Sequence, residues 1–473
     1  MLHWTAIYLL SEWVIRLIML VYVPQRRSPA AARTWLLLIF VLPWPGLILY
    51  AIFGRPYVPS NRRRMQERIS QTIRTTGQRY FQPCAIHPEL PPQFLRAVTL
   101  AKNLGDFPIL GGNEVELLND YDGTIERLIA DIDLAGRHVH LLYYIFADDR
   151  TGHRVADALL RAVSRGVTCR VLIDSLGSKG ARRSLAPRMR AGGVEVLESL
   201  PVRLLGRDRA RFDLRNHRKI AVIDGQVAYV GSQNLVDADF KAPIVYEELV
   251  ARVTGPVCRQ LQAVYLADRF LETGQPLHDA EFFPEPVASS GDIAAQILPS
   301  GPSYSHANNQ RLIVALVHAA QERVVMTTPY FIPDEPLLQA MQTAVLRGVA
   351  VHLIVSQAAD QFLVCFAQRS YYEDLLAAGI AIHVYQPRFL HAKHLTIDDS
   401  VALVGSSNFD LRSFLLNEEV SLLVYDPRVV ARLRDIQQQA FAASHKITLD
   451  EWRRRPLVTK TVQNIARLVD SLL

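Results

Sequence analysis

Cysteine is scarce and scattered: the four residues are Cys84, Cys169, Cys258 and Cys365. No two stand close enough for a Cys-x-x-Cys zinc site or a disulfide-rich scaffold. Cys169 lies in an apolar run and reads as a small buried hydrophobe. Histidine numbers only 14 in 473 residues, and no Cys, His and carboxylate group shows metal-ligand spacing. No metal and no other cofactor is therefore expected. Charge is missing altogether from Trp35 to Phe53, WLLLIFVLPWPGLILYAIF. That absence excludes a solvated surface helix and fits the ~20 residues of a membrane span.

Pro43, Pro45 and Gly46 should kink this segment, which is tolerable where protein or water satisfies the freed carbonyls. A first apolar stretch, about Trp4 to Val23, carries Glu12 and Arg16. Four residues apart on one helix face, they can neutralise each other. A cleaved signal peptide, for which Ala30 and Ala32 offer a weak site, is disfavoured: the first run lacks a basic leader and is charged inside. The expectation is a two-helix hairpin with Pro24 to Arg33 as its loop. Trp4, Trp13, Trp35 and Trp44 suit interface depth, and loop arginines against those beyond the second helix put the large C-terminal part on the cytoplasmic side.

The net charge of +6 is uneven. Arg55, Arg62, Arg63, Arg64, Arg68, Arg74 and Arg79 crowd a short stretch opposed only by Glu67. Such a belt suits anionic lipid head groups or nucleic acid, or is simply a solvated helix face. With 49% hydrophobic and 21% charged residues, the remainder can bury substantial cores.

From about residue 111 the chain repeats itself. RLIADIDLAGRHVHLLYYIF from Arg127 parallels RLIVALVHAAQERVVMTTPYFI from Arg311, and Arg165-Gly166-Val167 parallels Arg347-Gly348-Val349. In this alignment Val139 matches Val325 and Tyr144 matches Tyr330. Each unit reads helix, apolar strand, helix, apolar strand. The expected fold class is thus α/β: two duplicated domains with mixed sheets layered by helices, preceded by the membrane hairpin. The boundaries follow as hairpin 1–55, basic connector 56–110, first unit 111–285 and second unit 286–473. The proline-rich stretch around Glu281 to Gly301 is the expected joint.

Each unit then carries one polar constellation. His217, Lys219 and Asp224 precede Gly231-Ser232-Gln233-Asn234; His391, Lys393 and Asp398 precede Gly405-Ser406-Ser407-Asn408, with identical spacings. Residues two apart on a strand share a face, so each His and Lys project together. One chance match has odds of roughly one in a hundred. Two matches, with the same extension inside a repeat, exclude coincidence. The chemistry suited to this set is phosphodiester transfer. Lysines neutralise phosphoryl oxygens while Asn234, Asn408, Ser232 and Ser406 add donors. One histidine attacks phosphorus and the other manages protons. The Gly-Ser pair is expected to let a loop approach the ligand. Glu248 and Glu419, at equivalent places further on, can each fix the tautomer of their histidine, with neighbouring Glu247 and Glu418 as alternatives. His394 should face away from His391 and Lys393.

These motifs, with LPWPG, ILPSGP, TTPYFIPDE and GSSNFDLRSFLLNEE, resemble the phospholipase D superfamily over most of residues 111 to 473. Within it the chain is most similar to bacterial cardiolipin synthases of the two-helix type. The resemblance implies joining of two phosphatidylglycerol molecules into cardiolipin with release of glycerol, without nucleotide or metal. It implies His217 as nucleophile and His391 as general acid and base. A phospholipase D hydrolase, or a transferase to another alcohol, is the alternative. The expected partners are phosphatidylglycerol and the bilayer of a bacterial inner membrane, crossed more than once, and not nucleic acid; an oligomer is compatible with the sequence.

Overall fold

The computed structural model describes residues 2–27, 29–54, 58–201, 213–276, 282–284 and 291–468. Among these residues, sixteen strands join into one sheet. Its seam is the antiparallel pair Leu110–Leu118 and Ile293–Ser300. Outward from Leu110–Leu118 come Val250–Thr254, Val227–Gly231, Lys219–Ile223, His138–Tyr143, Thr168–Asp174 and Glu195–Ser199. Outward from Ile293–Ser300 the order is Asn417–Val424, Val401–Gly405, His394–Ile397, Arg323–Thr327, Ala350–Ser356 and Ala381–Tyr385, with Ser444–Ile447 added at the edge. The two halves therefore have the same strand order, antiparallel near the seam and parallel beyond it.

The parallel strands are covered by helices on both faces, which is why they read as unbroken Val, Ile and Leu runs. His138–Tyr143 is buried along its whole length. Helices Tyr121–Leu134 and Arg150–Ser164 close one core in the first half. Asn308–Ala319 and Glu335–Leu346 close its counterpart in the second. A third core spans the seam, where Val257–Thr273 and Pro427–Ala442 pack across strands of both halves. The halves thus share a core.

Three expectations need correction. First, strand pairing sets the repeat register one residue away from the sequence alignment. Val139 lies opposite Ile223 as Val324 lies opposite Ile397, so Val324, not Val325, is the equivalent of Val139. The same offset makes Pro329, not Tyr330, the equivalent of Tyr144. Second, the expected joint contains a fully buried central strand, Ile293–Ser300; residues 285–290 lie outside the described ones. Third, the hairpin loop is shorter, because a helix begins at Pro29.

The second apolar segment is two helices, Pro29–Val41 and Pro43–Phe53, rather than one kinked helix. Proline lacks the N–H a continuous helix would need at this point. Arg16 donates from Nε to the Phe40 carbonyl at the break, 3.1 Å away, and pairs with Glu12 at 3.4 Å. His3–Tyr22 is long and apolar enough to cross a membrane; the two shorter helices are not so by length. Of the basic belt, Arg55 lies outside the described residues. Arg62 is buried, paired with Glu272 at 2.7 Å, so it is not part of a solvated face.

Candidate active site

The lead-in to each motif leaves its own half and pairs with the other. Arg215–Asn216 runs parallel to Asn417–Glu418, and Phe389–Leu390 runs parallel to Tyr246–Glu247. The His217 amide donates to the Glu418 carbonyl at 2.9 Å, and the His391 amide to the Glu247 carbonyl at 2.7 Å. This exchange brings both histidines to one cavity of about 470 Å³, which Asn234 and Asn408 also line.

Behind the rings the exchange continues. His217 Nδ1 lies 2.9 Å from Glu419 Oε1, and His391 Nδ1 lies 2.7 Å from Glu248 Oε1. Each glutamate thus serves the histidine of the opposite unit, which corrects the expectation that each holds its own. The neighbouring pair is used elsewhere: Glu418 takes Arg218, while Glu247 accepts from Tyr385. Burial raises the pKa of Glu248 and Glu419, but the facing histidine and lysine outweigh it and hold both below the usual range. The glutamates stay ionised, so Nδ1 carries the proton and Nε2 of each ring is left for the cavity.

Burial, with a contribution from Lys219, pushes His217 down to about 4 despite Glu419. Burial lowers His391 as well. Lys219 is pushed down to about 7 and Lys393 to about 8, burial being the largest cause in both and the acidic groups opposing it. Each ammonium donates to the carbonyl of its own histidine, at 2.6 and 2.5 Å. Lys219 and Lys393 are buried and stand behind the cavity lining, so their charge acts at short range on an anion held between the two neutral imidazoles.

Other predicted site residues do different work. Asp224 and Asp398 lie at the far ends of their strands, about 17 Å from the lysines at ~3.3 Å per residue. Asp224 accepts from the amides of Gly136, Arg137 and His138, each at 2.8 Å. Asp398 accepts from Gln321, Glu322 and Arg323 at 2.8–3.0 Å. Both stand in the left-handed region, at φ 53° and 47°, turning the chain so the carboxylate caps the neighbouring strand. Their geometry is architectural rather than catalytic.

Ser232 and Ser406 are fully buried and do not line the cavity. Ser406 Oγ donates to Glu419 at 2.5 Å, and Ser232 Oγ accepts from the Leu249 amide at 3.0 Å. They brace the glutamate strands instead of facing a phosphate. Gly231 and Gly405 serve the same packing: a Cβ there would meet the carbonyl of Leu249 or Val420 at 2.4 or 2.5 Å. Asn234 accepts from the Ile145 amide through Oδ1, and Asn408 donates to Asp410, each keeping at least one amide proton for the cavity. His394 is buried away from the cavity, against Gln437.

Sequence reasoning missed Tyr144, whose ring lies 4.8 Å from that of His217 and 5.5 Å from Lys219 Nζ. It also missed Lys241, Tyr246, Tyr330 and Asp360, which line the same cavity.

Residues 128–264 and 313–440 match the family described as cardiolipin synthase, phospholipase-D-like domain. The chain belongs to this family. Residues 13–55 match the family described as phospholipase D-nuclease N-terminal. Cardiolipin synthase A of Pectobacterium carotovorum is 33% identical over 95% of this chain and 94% of its own. The protein of that name from Yersinia pseudotuberculosis is 33% identical over 100% and 99%. Among solved structures, phosphatidylserine synthase of Haemophilus influenzae shares the fold at a TM-score of 0.62. It covers 80% of this chain and 100% of its own at 15% identity. Family membership and the apolar N-terminal helix make this chain a bacterial membrane protein and a phosphatidyltransferase acting on phospholipid.

Proposed function

We propose that the cavity transfers a phosphatidyl group from one phosphatidylglycerol to a hydroxyl of another, forming cardiolipin and glycerol. The observation that carries this reading is the pair of buried imidazoles on one cavity, each held through Nδ1 by a glutamate of the opposite unit. His217 Nε2 attacks phosphorus while the bond to the glycerol oxygen breaks. His391, protonated in the presence of the phosphate's charge, gives its Nε2 proton to that oxygen. Glycerol departs and the phosphatidyl group stays on His217. A hydroxyl of the second phosphatidylglycerol then passes its proton to His391 and attacks phosphorus, freeing His217. Lys219 and Lys393, with Asn234 and Asn408, neutralise the phosphoryl oxygens throughout.

The same reading divides the chain at 1–55, 56–110, 111–285 and 286–473. It puts the catalytic body on the cytoplasmic side of an inner membrane that the N-terminus crosses twice. The reading carries no role for nucleic acid, metal or cofactor, and it is compatible with an oligomer. Membrane attachment concentrates a lipid acceptor over water, which a transferase must exclude. The test is purified protein in phosphatidylglycerol vesicles with products resolved. Cardiolipin and glycerol should form in equal amounts; phosphatidic acid as the main product would make the chain a hydrolase.

A further inference from the structure

The cavity has an asymmetric wall. Four residues past the strand Thr168–Asp174 stands Ser178, closed off by backbone: it donates to the Tyr144 carbonyl and accepts from the Phe146 amide. Four residues past the equivalent strand, Ala350–Ser356, stands Asp360, which lines the cavity. Its carboxylate takes Lys241 Nζ at 2.8 Å, the Tyr246 hydroxyl at 2.9 Å and the Tyr330 hydroxyl. Tyr246 also packs its ring against His391, centroids 5.4 Å apart. One phenol therefore joins the carboxylate to the proton-handling histidine.

We propose that Asp360, set by Tyr246, Tyr330 and Lys241, is a hydroxyl-recognition subsite. It binds the glycerol head group through a hydroxyl neighbouring the one that reacts. The inference rests on the transferase reading above and names what selects the alcohol.

The chemistry favours a neutral hydroxyl donor. An ionised carboxylate accepts at about four lone-pair positions, and three donors are present, so acceptor capacity remains. Burial raises the Asp360 pKa, but hydrogen bonds from Lys241 and Tyr330 outweigh it and hold the group below the ordinary range. At neutral pH it can only accept, so it repels phosphate and welcomes O–H. The side chain of Asp360 is 4% exposed and that of Lys241 is 44% exposed. The acceptor is thus fixed at depth, while the ammonium at the mouth faces the charged remainder of a lipid alcohol. In a double displacement the leaving and entering alcohols occupy the same place beside His391. A single glycerol subsite therefore serves both half-reactions when both alcohols are glycerol or its phosphatidyl ester.

The experiment compares alcohols competing for one phosphatidyl-enzyme. Full-length protein in vesicles receives phosphatidyl-nitrophenol as donor, with equal concentrations of glycerol and 1-propanol. The ratio of phosphatidylglycerol to phosphatidylpropanol is then read. This ratio does not depend on how much enzyme is folded or how fast the first step runs. The wild type should favour glycerol by about tenfold or more, since a site built to bind a hydroxyl discriminates against its absence. Asp360→Ala should bring the ratio within about twofold of unity, and Asp360→Asn, which keeps one acceptor, should fall between. A wild type without preference for glycerol, or a ratio unchanged in both variants, overturns the subsite while leaving the transfer reaction standing. A wild type that forms neither product overturns the transferase reading and the subsite with it.

Discussion

The two half-sites are alike in the groups that surround their histidines and unlike in what lies beyond those groups. Each sets a histidine and an asparagine on the cavity, with its own lysine and a glutamate borrowed from the other half buried close behind. Behind His217, however, Arg218 is buried against Asp268 and Glu418 and donates to the carbonyls of Ser300 and Glu419. Behind His391 the equivalent residue is Ala392, buried in an apolar core. Nearby, Arg62 of the helix Ser60–Thr75 reaches Glu272. The shared part is what a phosphoryl group requires from both sides. The unshared part gives the halves different surroundings, as two different roles demand. A duplicated fold supplies two copies of a group; the proposed roles of attacker and proton carrier call for divergence around them.

The largest expected effects test the shared part. His217→Ala and His391→Ala should each lower turnover by about a thousandfold or more, since groups that act as a unit fail together. Circular dichroism should show both folded. Substantial activity in either variant would break the composite site. Next come the exchanged glutamates. Glu419→Gln and Glu248→Gln should each cost about a hundredfold through loss of tautomer control and of the charge behind the imidazole. In double-mutant cycles Glu419 should couple to His217 and not to His391. The reverse coupling would contradict the crossed arrangement.

A smaller effect separates the two lysines. Both are cationic only below their pKa, Lys219 at about 7 and Lys393 at about 8. As pH rises through that window the positive charge is lost, so binding of the anionic lipid, read in KM apart from the His391 proton step in kcat, should weaken on the alkaline side. The acid limb should lie near the His217 value of about 4, where the attacking nitrogen gains a proton. Lys219→Arg keeps its charge and should move the alkaline limb up towards the Lys393 range. A limb that stays in place would assign it to another group.

The smallest effect on chemistry is expected at the motif aspartates. Asp224→Ala and Asp398→Ala strand three backbone amides each and should cost about 1–3 kcal/mol of stability, measured by denaturant unfolding. Activity per folded molecule should stay near that of the wild type. A catalytic defect without loss of stability would return them to the active site.

The reaction class was legible because the His-x-Lys spacing is short: both residues fall at the link leading into the strand Lys219–Ile223 or His394–Ile397, so folding keeps them together. The α/β class and the duplicated order were legible from alternating apolar runs. What lay hidden depends on contacts between distant segments. Glu248 aligns with its own unit's histidine in sequence, but which ring it meets is decided by the crossing of Arg215–Asn216 and Phe389–Leu390 between halves. Asp224 and Ser232 belong to the motif, yet their hydrogen bonds run to backbone no local pattern identifies. The repeat register slipped because Val324 and Val325 are interchangeable in an apolar run, and only pairing to Ile223 and Ile397 tells them apart. Asp360 carries no motif, and only its convergence with Lys241, Tyr246 and Tyr330 marks it.

The most direct test of the central claim, two histidines with divided labour, is to find the intermediate. The His391→Ala variant, given phosphatidyl-nitrophenol, has a leaving group that needs no proton but lacks the base that activates the acceptor, so the covalent adduct should accumulate. Rapid quenching without acid, which preserves phosphohistidine, followed by mass spectrometry should place a phosphatidyl group on the peptide containing His217. An adduct in the wild type on His391 would reverse the roles. No adduct on either ring, together with inversion at a chiral phosphorothioate in the wild-type reaction, would contradict the double displacement itself.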